Sequence, residues 1–241
     1  MKFYPVDQGS VSWYEARLGI PTASNFHRIV TPGGQPSKQA DVYMYKLICE
    51  RLLHETQDDE IGFVRWVARG KEMEPAAVSH FQFVNDVQLE PGGFVTTDDG
   101  RIGASPDRLF KGHHEALEVK VPAPHTHMGY LLDGLGDDHL IQLQGQILAG
   151  GFEGVHFVSW HAQMPFFHRV VLPDRGFQAV LASRLNAFCD LLDIKTERAR
   201  ALGAYAVARR VETPAEVAYS DDHVTLRLIN PEEGGMGDAS A

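Results

Sequence analysis

Between residues 92 and 120 the chain leaves the helical spacing of its flanks and breaks into short β-like runs at 93–96, 101–104, 108–110 and 116–121. Asp98-Asp99-Gly100 and Lys111-Gly112-His113-His114 punctuate these runs as turns, so the stretch reads as a strand meander. Helical patterns precede it. Ser10 can cap a short helix reaching Leu18, and after the break at 19–21 Thr22 or Ser24 can cap another running to about Val30. From 37 to about 54 the apolar residues Val42, Tyr45, Leu47, Ile48, Leu52 and Leu53 recur near helical spacing, and a further helix is expected over 63–84. Beyond the meander, helices are expected over 124–132 and 137–149, strands over 155–162 and 166–172, and a long helix from 174 to about 201. Helices, sheet, helix, sheet and helix in that order predict an α/β (α+β) domain, with a central mixed sheet flanked by helices.

At 241 residues and 44% hydrophobic, the chain can bury one substantial core, so a single domain is expected over 1–230 with a disordered tail over 231–241. The run at 224–229 is read as an added edge strand or a contact to another subunit. No apolar stretch approaches the ~20 residues of a membrane span, and MKFYPVDQGS lacks a signal-peptide apolar region. The expectation is a cytoplasmic protein, of a bacterium or a phage-infected host, that does not contact membrane. Cys49 and Cys189 both stand in apolar helical contexts and read as reduced packing residues. Twenty-two Lys and Arg against 32 Asp and Glu give a net charge of −10, which argues against coating DNA with a uniformly basic surface. A nuclease needs positive charge only along its DNA path and acids at its metal, so that class survives.

The feature that carries chemistry is Ser105-Pro106-Asp107 followed by Glu118-Val119-Lys120. Asp107 would end one strand while Glu118 and Lys120 lie on the next. Side chains two apart on a strand share a face, so Glu118 and Lys120 project together and Val119 faces away. A hairpin-like return would set Asp107 beside Glu118. Two carboxylates and the Val119 carbonyl are hard oxygen ligands suited to Mg²⁺, with Mn²⁺ as a substitute. Lys120 would orient or deprotonate the attacking water, or stabilise charge on phosphate. The ordinary alternative is a surface hairpin with an exposed Glu and Lys.

Several blocks stand around this core: Trp13-x3-Arg17-x-Gly19-x2-Thr22-Ala23-Ser24, then 70–74 (Gly-Lys-Glu-Met-Glu), then 103–107, 118–122 and Gln142-x-Gln144. In the same order they resemble the lambda-exonuclease or YqaJ-type viral recombinase family of the PD-(D/E)XK nuclease superfamily, over about 13–172. The resemblance implies a restriction-endonuclease-like core and a Mg²⁺-dependent exonuclease that degrades one strand of double-stranded DNA from a 5′ end. It further implies a homo-oligomer, a ring-shaped trimer, that passes the 3′ overhang to a single-strand annealing protein. By the same resemblance Asp107 and Glu118 bind metal with the Val119 carbonyl, Lys120 is catalytic, Glu74 supports the centre from a helix, and Gln142 completes it. Arg17, Ser24 and Ser105 resemble the pocket for the 5′-terminal phosphate, with Trp13 beside it. A guanidinium fork and a hydroxyl near a helix start suit that phosphate.

The residues leave rivals open. Arg17 can equally serve a surface ion pair, Trp13 core packing, and Glu74, Gln142 and Gln144 solvated helix faces. Arg108 stands where the resembled family commonly has Gly, which predicts either strain at a positive φ or a new contact to phosphate. His113-His114 and His125-x-His127 lack the partners of a zinc site, although His125 or His127 can reach DNA. Two other functions keep the same residues: an endonuclease or single-strand exonuclease with the same metal core, and a non-catalytic DNA-binding module.

Overall fold

The computed structural model describes residues 1–56 and 65–203. The run at 224–229 and the tail expected over 231–241 lie outside the described residues. The N-terminal strand β1 (Lys2–Tyr4) leads into helix α1 (Val11–Arg17), a short 3₁₀ helix (Ala23–Arg28), α2 (Ala40–Leu53) and α3 (Arg65–Asn85). Strands β2 (Leu89–Pro91), β3 (Phe94–Thr96), β4 (Gly103–Ala104), β5 (Arg108–Phe110) and β6 (Glu115–Lys120) follow. Helices α4 (Pro124–Asp133) and α5 (Asp137–Gly150), strands β7 (Gly154–Ser159) and β8 (Phe167–Val171), and α6 (Arg175–Ala201) complete the described elements.

The main sheet has the order β2-β5-β6-β7-β8, and only β6 and β7 are parallel. A parallel pair cannot be joined by a tight turn, and α4 and α5 form the required crossover. Strand alternation assigns the faces of β6. Leu117 and Val119 pack with Ala77, Val78 and Phe81 of α3, whereas Ala116 joins the larger core with Ile141, Leu143 and Ile147 of α5. Glu118 therefore turns toward α5. That helix lies so close to the 3₁₀ segment that a Cβ on Gly145 would sit 2.5 Å from the Phe26 ring. His127 is locked between Ser159 Oγ at 2.7 Å and the Pro165 carbonyl at 3.0 Å, joining α4 to the segment around β7. It is a packing residue, not a DNA contact.

The expected mixed sheet with helical cover is present, but the expected meander is divided. β3 and β4 pair with β1 in a separate three-stranded sheet, and only β5 and β6 join the main one. The break falls at Ser105-Pro106, which lie outside any strand. The helix expected to run to Val30 is instead one short 3₁₀ segment, Ala23–Arg28, and Thr22 makes no side-chain cap bond to it. Its hydroxyl lies 3.4 Å from Ser24 Oγ. Ser10 does cap α1, accepting from Trp13 N–H at 3.2 Å, and Asp174 caps α6 at Phe177 N–H.

Candidate active site

Asp107 precedes β5 instead of ending a strand, because the chain turns into the β5–β6 hairpin directly after it. Its N–H donates to the Leu117 carbonyl at 3.0 Å, and its Oδ2 accepts from Val119 N–H at 2.6 Å. The two bonds anchor the carboxylate against the strand that carries Glu118 and Lys120. Lys120 Nζ donates to Glu118 Oε1 at 2.5 Å. Glu118, only 3% exposed, also accepts from Gln142 Nε2 at Oε1 (2.8 Å) and from Gln146 Nε2 at Oε2 (2.6 Å). Asp107, Glu118, Lys120 and Gln142 thus converge. A cleft of about 570 Å³ opens over Asp107 and Lys120, lined also by Glu74, Val119, His125 and Tyr130 among others.

Burial pushes the Asp107 carboxyl well above the usual carboxylate range, and the charge of Glu118 adds to the effect against Lys120 and the Val119 N–H. Burial alone would lower Lys120, yet the charges of Glu118 and Asp107 overcome it and hold the ammonium above its ordinary value. Two carboxylates that repel each other this way suit a divalent cation, whose charge relieves the repulsion. Among the described residues no three His, Cys, Asp or Glu side chains are grouped to hold a metal. The available donors are two carboxylates and the Val119 carbonyl. Such a set fits a hard cation that keeps several waters.

Glu74 lines the same cleft and its charge also raises the Asp107 carboxyl; Arg108 Nη1 meets its Oε1 at 3.1 Å and also donates to the Asp107 carbonyl at 2.6 Å. Arg108 lies in β5 without a positive φ, so the backbone accommodates it unstrained, and its guanidinium reaches Glu74. Trp13, Arg17 and Ser105 form a second cluster. Ser105 Oγ accepts from Arg17 Nη1 at 2.8 Å and from Trp13 Nε1 at 3.0 Å, and the Arg17 guanidinium lies 3.9 Å from the Trp13 ring centroid. Ser24 is outside this cluster and exposed. Only Pro106 separates Ser105 from Asp107, so the two clusters are adjacent along the chain.

Gln146 is a site residue that the expectation built on Gln142-x-Gln144 misses. Positions 142 and 146 are one helical turn apart and share a face, while Gln144 points elsewhere, donating to the Leu172 carbonyl and accepting from Asp174 N–H. The spacing alone carried that signal. Gln146 Oε1 is buried without a partner among the described residues, a cost of about 1–3 kcal/mol that accompanies the bond to Glu118. Gly92 is another. A Cβ there would fall 1.7 Å from the Pro106 carbonyl oxygen and 3.1 Å from the Asp107 carbonyl carbon. Gly92→Ala must move the peptide that aims Asp107, and a displacement of about 1 Å lowers rates on the order of 100-fold. Steady-state cleavage by this variant is expected to fall by about that factor, with thermal denaturation registering a loss of about 1–3 kcal/mol.

The model of the YqaJ-like viral recombinase domain matches residues 12–153. An alkaline exonuclease, LHK-Exo, from Laribacter hongkongensis has a similar structure: 25% identical, TM-score 0.72, with 82% of this chain and all of that one covered. The same enzyme in complex with dAMP aligns at 26% identity, TM-score 0.72 and the same coverage. A phage related exonuclease from Haemophilus somnus 129PT shares the fold at TM-score 0.57 and 13% identity, with 74% of this chain and 96% of that one covered. No curated protein matches this sequence. With more than half its length matched, the chain belongs to the YqaJ-like viral recombinase domain family.

Proposed function

We propose that this chain is a Mg²⁺-dependent DNA exonuclease that degrades one strand of double-stranded DNA from its 5′ ends, leaving 3′ overhangs for single-strand annealing in phage-type recombination. Family membership and the likeness to alkaline exonucleases support the DNA exonuclease activity. The observation that carries the finer reading is the adjacency of the Arg17–Ser105 cluster to Asp107, with Glu118 and Lys120 behind it.

Asp107, Glu118 and the Val119 carbonyl would hold the cation, Mg²⁺ with Mn²⁺ as a substitute. When bound, it supplies Lewis acidity toward the scissile phosphate and the attacking water. Gln142 and Gln146 fix the Glu118 carboxylate from α5, so its orientation is set before DNA arrives. Lys120 holds positive charge at the reacting phosphate and orients water there. Arg17 offers two-pronged donors to a terminal phosphate, Ser105 adds its hydroxyl, and Trp13 braces the guanidinium from beneath. Ser24, exposed and outside that cluster, would offer a further hydroxyl to the incoming DNA, and Glu74 holds Arg108 beside the Asp107 peptide. A pocket that retains the end turns a phosphodiesterase into an exonuclease. The working form is a homo-oligomer, a trimer, that delivers its overhangs to an annealing protein.

The test is digestion of linear duplexes bearing 5′-phosphate or 5′-hydroxyl ends, beside a covalently closed circle. Mononucleotides are expected from the phosphorylated 5′ strand, more slowly from hydroxyl ends, not from the circle, and not after chelation. Nicking of the circle would make the enzyme an endonuclease, and preference for single strands would reassign its substrate. DNA binding without cleavage in either Mg²⁺ or Mn²⁺ would leave a binding module.

A further inference from the structure

The segment before α1 lies outside the residues that the family model matches, yet it reaches the centre of the site. Gln8 Nε2 donates to the Pro106 carbonyl at 2.9 Å and to the Ser105 carbonyl at 3.3 Å. These are the two peptides between the Arg17–Ser105 cluster and the Asp107 carboxylate. On another side Gly92 N–H donates to the Asp107 carbonyl at 3.3 Å, and the closeness of Gly92 to Pro106 leaves no room for a Cβ. The stretch 105–107 is therefore held at every part: the Ser105 hydroxyl by Trp13 and Arg17, its main chain by Gln8 and Gly92, and the Asp107 carboxylate by Val119. Gln8 is held in turn. β1 pairs with β3 in the small sheet, and the turn closed by Ser10 N–H on the Asp7 carbonyl sends the chain into α1, which carries Trp13 and Arg17. A cavity of about 510 Å³ lined by Gln8, Trp13, Gly92, Asp107 and Arg108 lies along this connection.

We infer that Gln8 is a positioning residue that couples occupancy of the terminal-phosphate cluster to the aim of the Asp107 carboxylate. The inference rests on the function proposed above. Pulling the Ser105 hydroxyl toward a bound phosphate moves a short peptide link, and the Gln8 amide determines whether that motion is transmitted to Asp107 or dissipated. Without the amide the Ser105 and Pro106 carbonyls lose their hold while Asp107 keeps its main-chain bonds to Leu117, Gly92 and Arg108, and the two clusters become independent. Gln8 touches neither phosphate nor metal in this scheme.

Gln8→Ala removes the amide, and Gln8→Glu replaces it with a carboxylate that the two carbonyls repel. Gln8 is exposed and in no core, so both variants should fold with an unchanged melting temperature. The experiment compares full-length wild type and variants on linear duplexes with 5′-phosphate or 5′-hydroxyl ends, across a Mg²⁺ titration. The expected result is a rise of about 10-fold in the Mg²⁺ needed for half-maximal cleavage, with the preference for 5′-phosphate ends lost in parallel. A merely structural role would lower stability or total activity and move neither quantity. If wild type prefers phosphorylated ends and needs Mg²⁺ while both variants keep either property unchanged, the coupling is refuted and the exonuclease reading stands. If wild type itself shows no metal-dependent cleavage of ends, the exonuclease reading fails first.

Discussion

Lys120→Ala is expected to lower cleavage by about 10²–10⁴-fold while leaving the fold and metal binding in place. Lys120 sits at the end of β6 with about a third of its side chain exposed to the cleft, and its ammonium is 2.5 Å from Glu118 Oε1. Burial works to discharge it, but Glu118 and Asp107 more than compensate and keep it protonated in the metal-free protein. An ammonium held charged in this way is suited to stabilising the phosphate and orienting water. Lys120→Arg retains the charge in a broader, planar group and should recover only part of the rate. The measurement is single-turnover cleavage of an end-labelled duplex, with Mg²⁺-induced thermal shifts reporting whether the metal still binds. Wild-type cleavage by the alanine variant would remove Lys120 from the mechanism. Loss of the Mg²⁺ shift would mean that the lysine serves the metal site and not the reaction.

The parts of this site that can be read from sequence are those set by local geometry. Glu118 and Lys120 share a face because strands alternate every two residues, and nothing distant can change that. Gln146 follows from the same kind of rule applied to a helix: residues four apart meet the same neighbour, whereas Gln144 turns toward Leu172 and Asp174. What local pattern cannot give is pairing. The stretch 92–120 divides between two sheets because residues 2–4 pair with 94–96, a contact made some ninety positions apart by a strand too short to show a period. Asp107 opens the hairpin instead of closing the preceding strand for the same reason. Gln8 reaches two carbonyls almost a hundred positions away, and a glutamine before a helix carries no signal of that. Arg108 looks like a disruption in the motif, but its salt bridge to Glu74 depends on where α3 crosses the end of β5.

Asp107→Asn is expected to abolish cleavage and, in the absence of metal, to stabilise the protein at neutral pH. Burial and the charge of Glu118 raise the Asp107 carboxyl well above its usual range. The folded state therefore binds this proton more tightly than the unfolded chain does. The stability that the group contributes is fully present below the ordinary carboxyl pKa and is lost as pH rises through the raised folded value. Above that value wild type carries two repelling buried carboxylates, a cost that asparagine removes while its amide oxygen can still accept from Val119 N–H. The melting temperature of the metal-free variant should exceed that of wild type by about 2–4 °C for each kcal/mol recovered, and the gap should close toward acid pH. Divalent cation reverses the order. Wild type should gain stability with Mg²⁺, about 2.7 kcal/mol at a concentration 100 times the dissociation constant, while the variant, lacking a charged ligand, gains little. Thermal unfolding of both proteins from acid to neutral pH, with Mg²⁺ and with chelator, supplies all four comparisons. An asparagine variant that melts below wild type without metal would show that the Asp107 carboxylate is not strained by Glu118. Equal Mg²⁺ shifts in the two proteins would place the cation elsewhere.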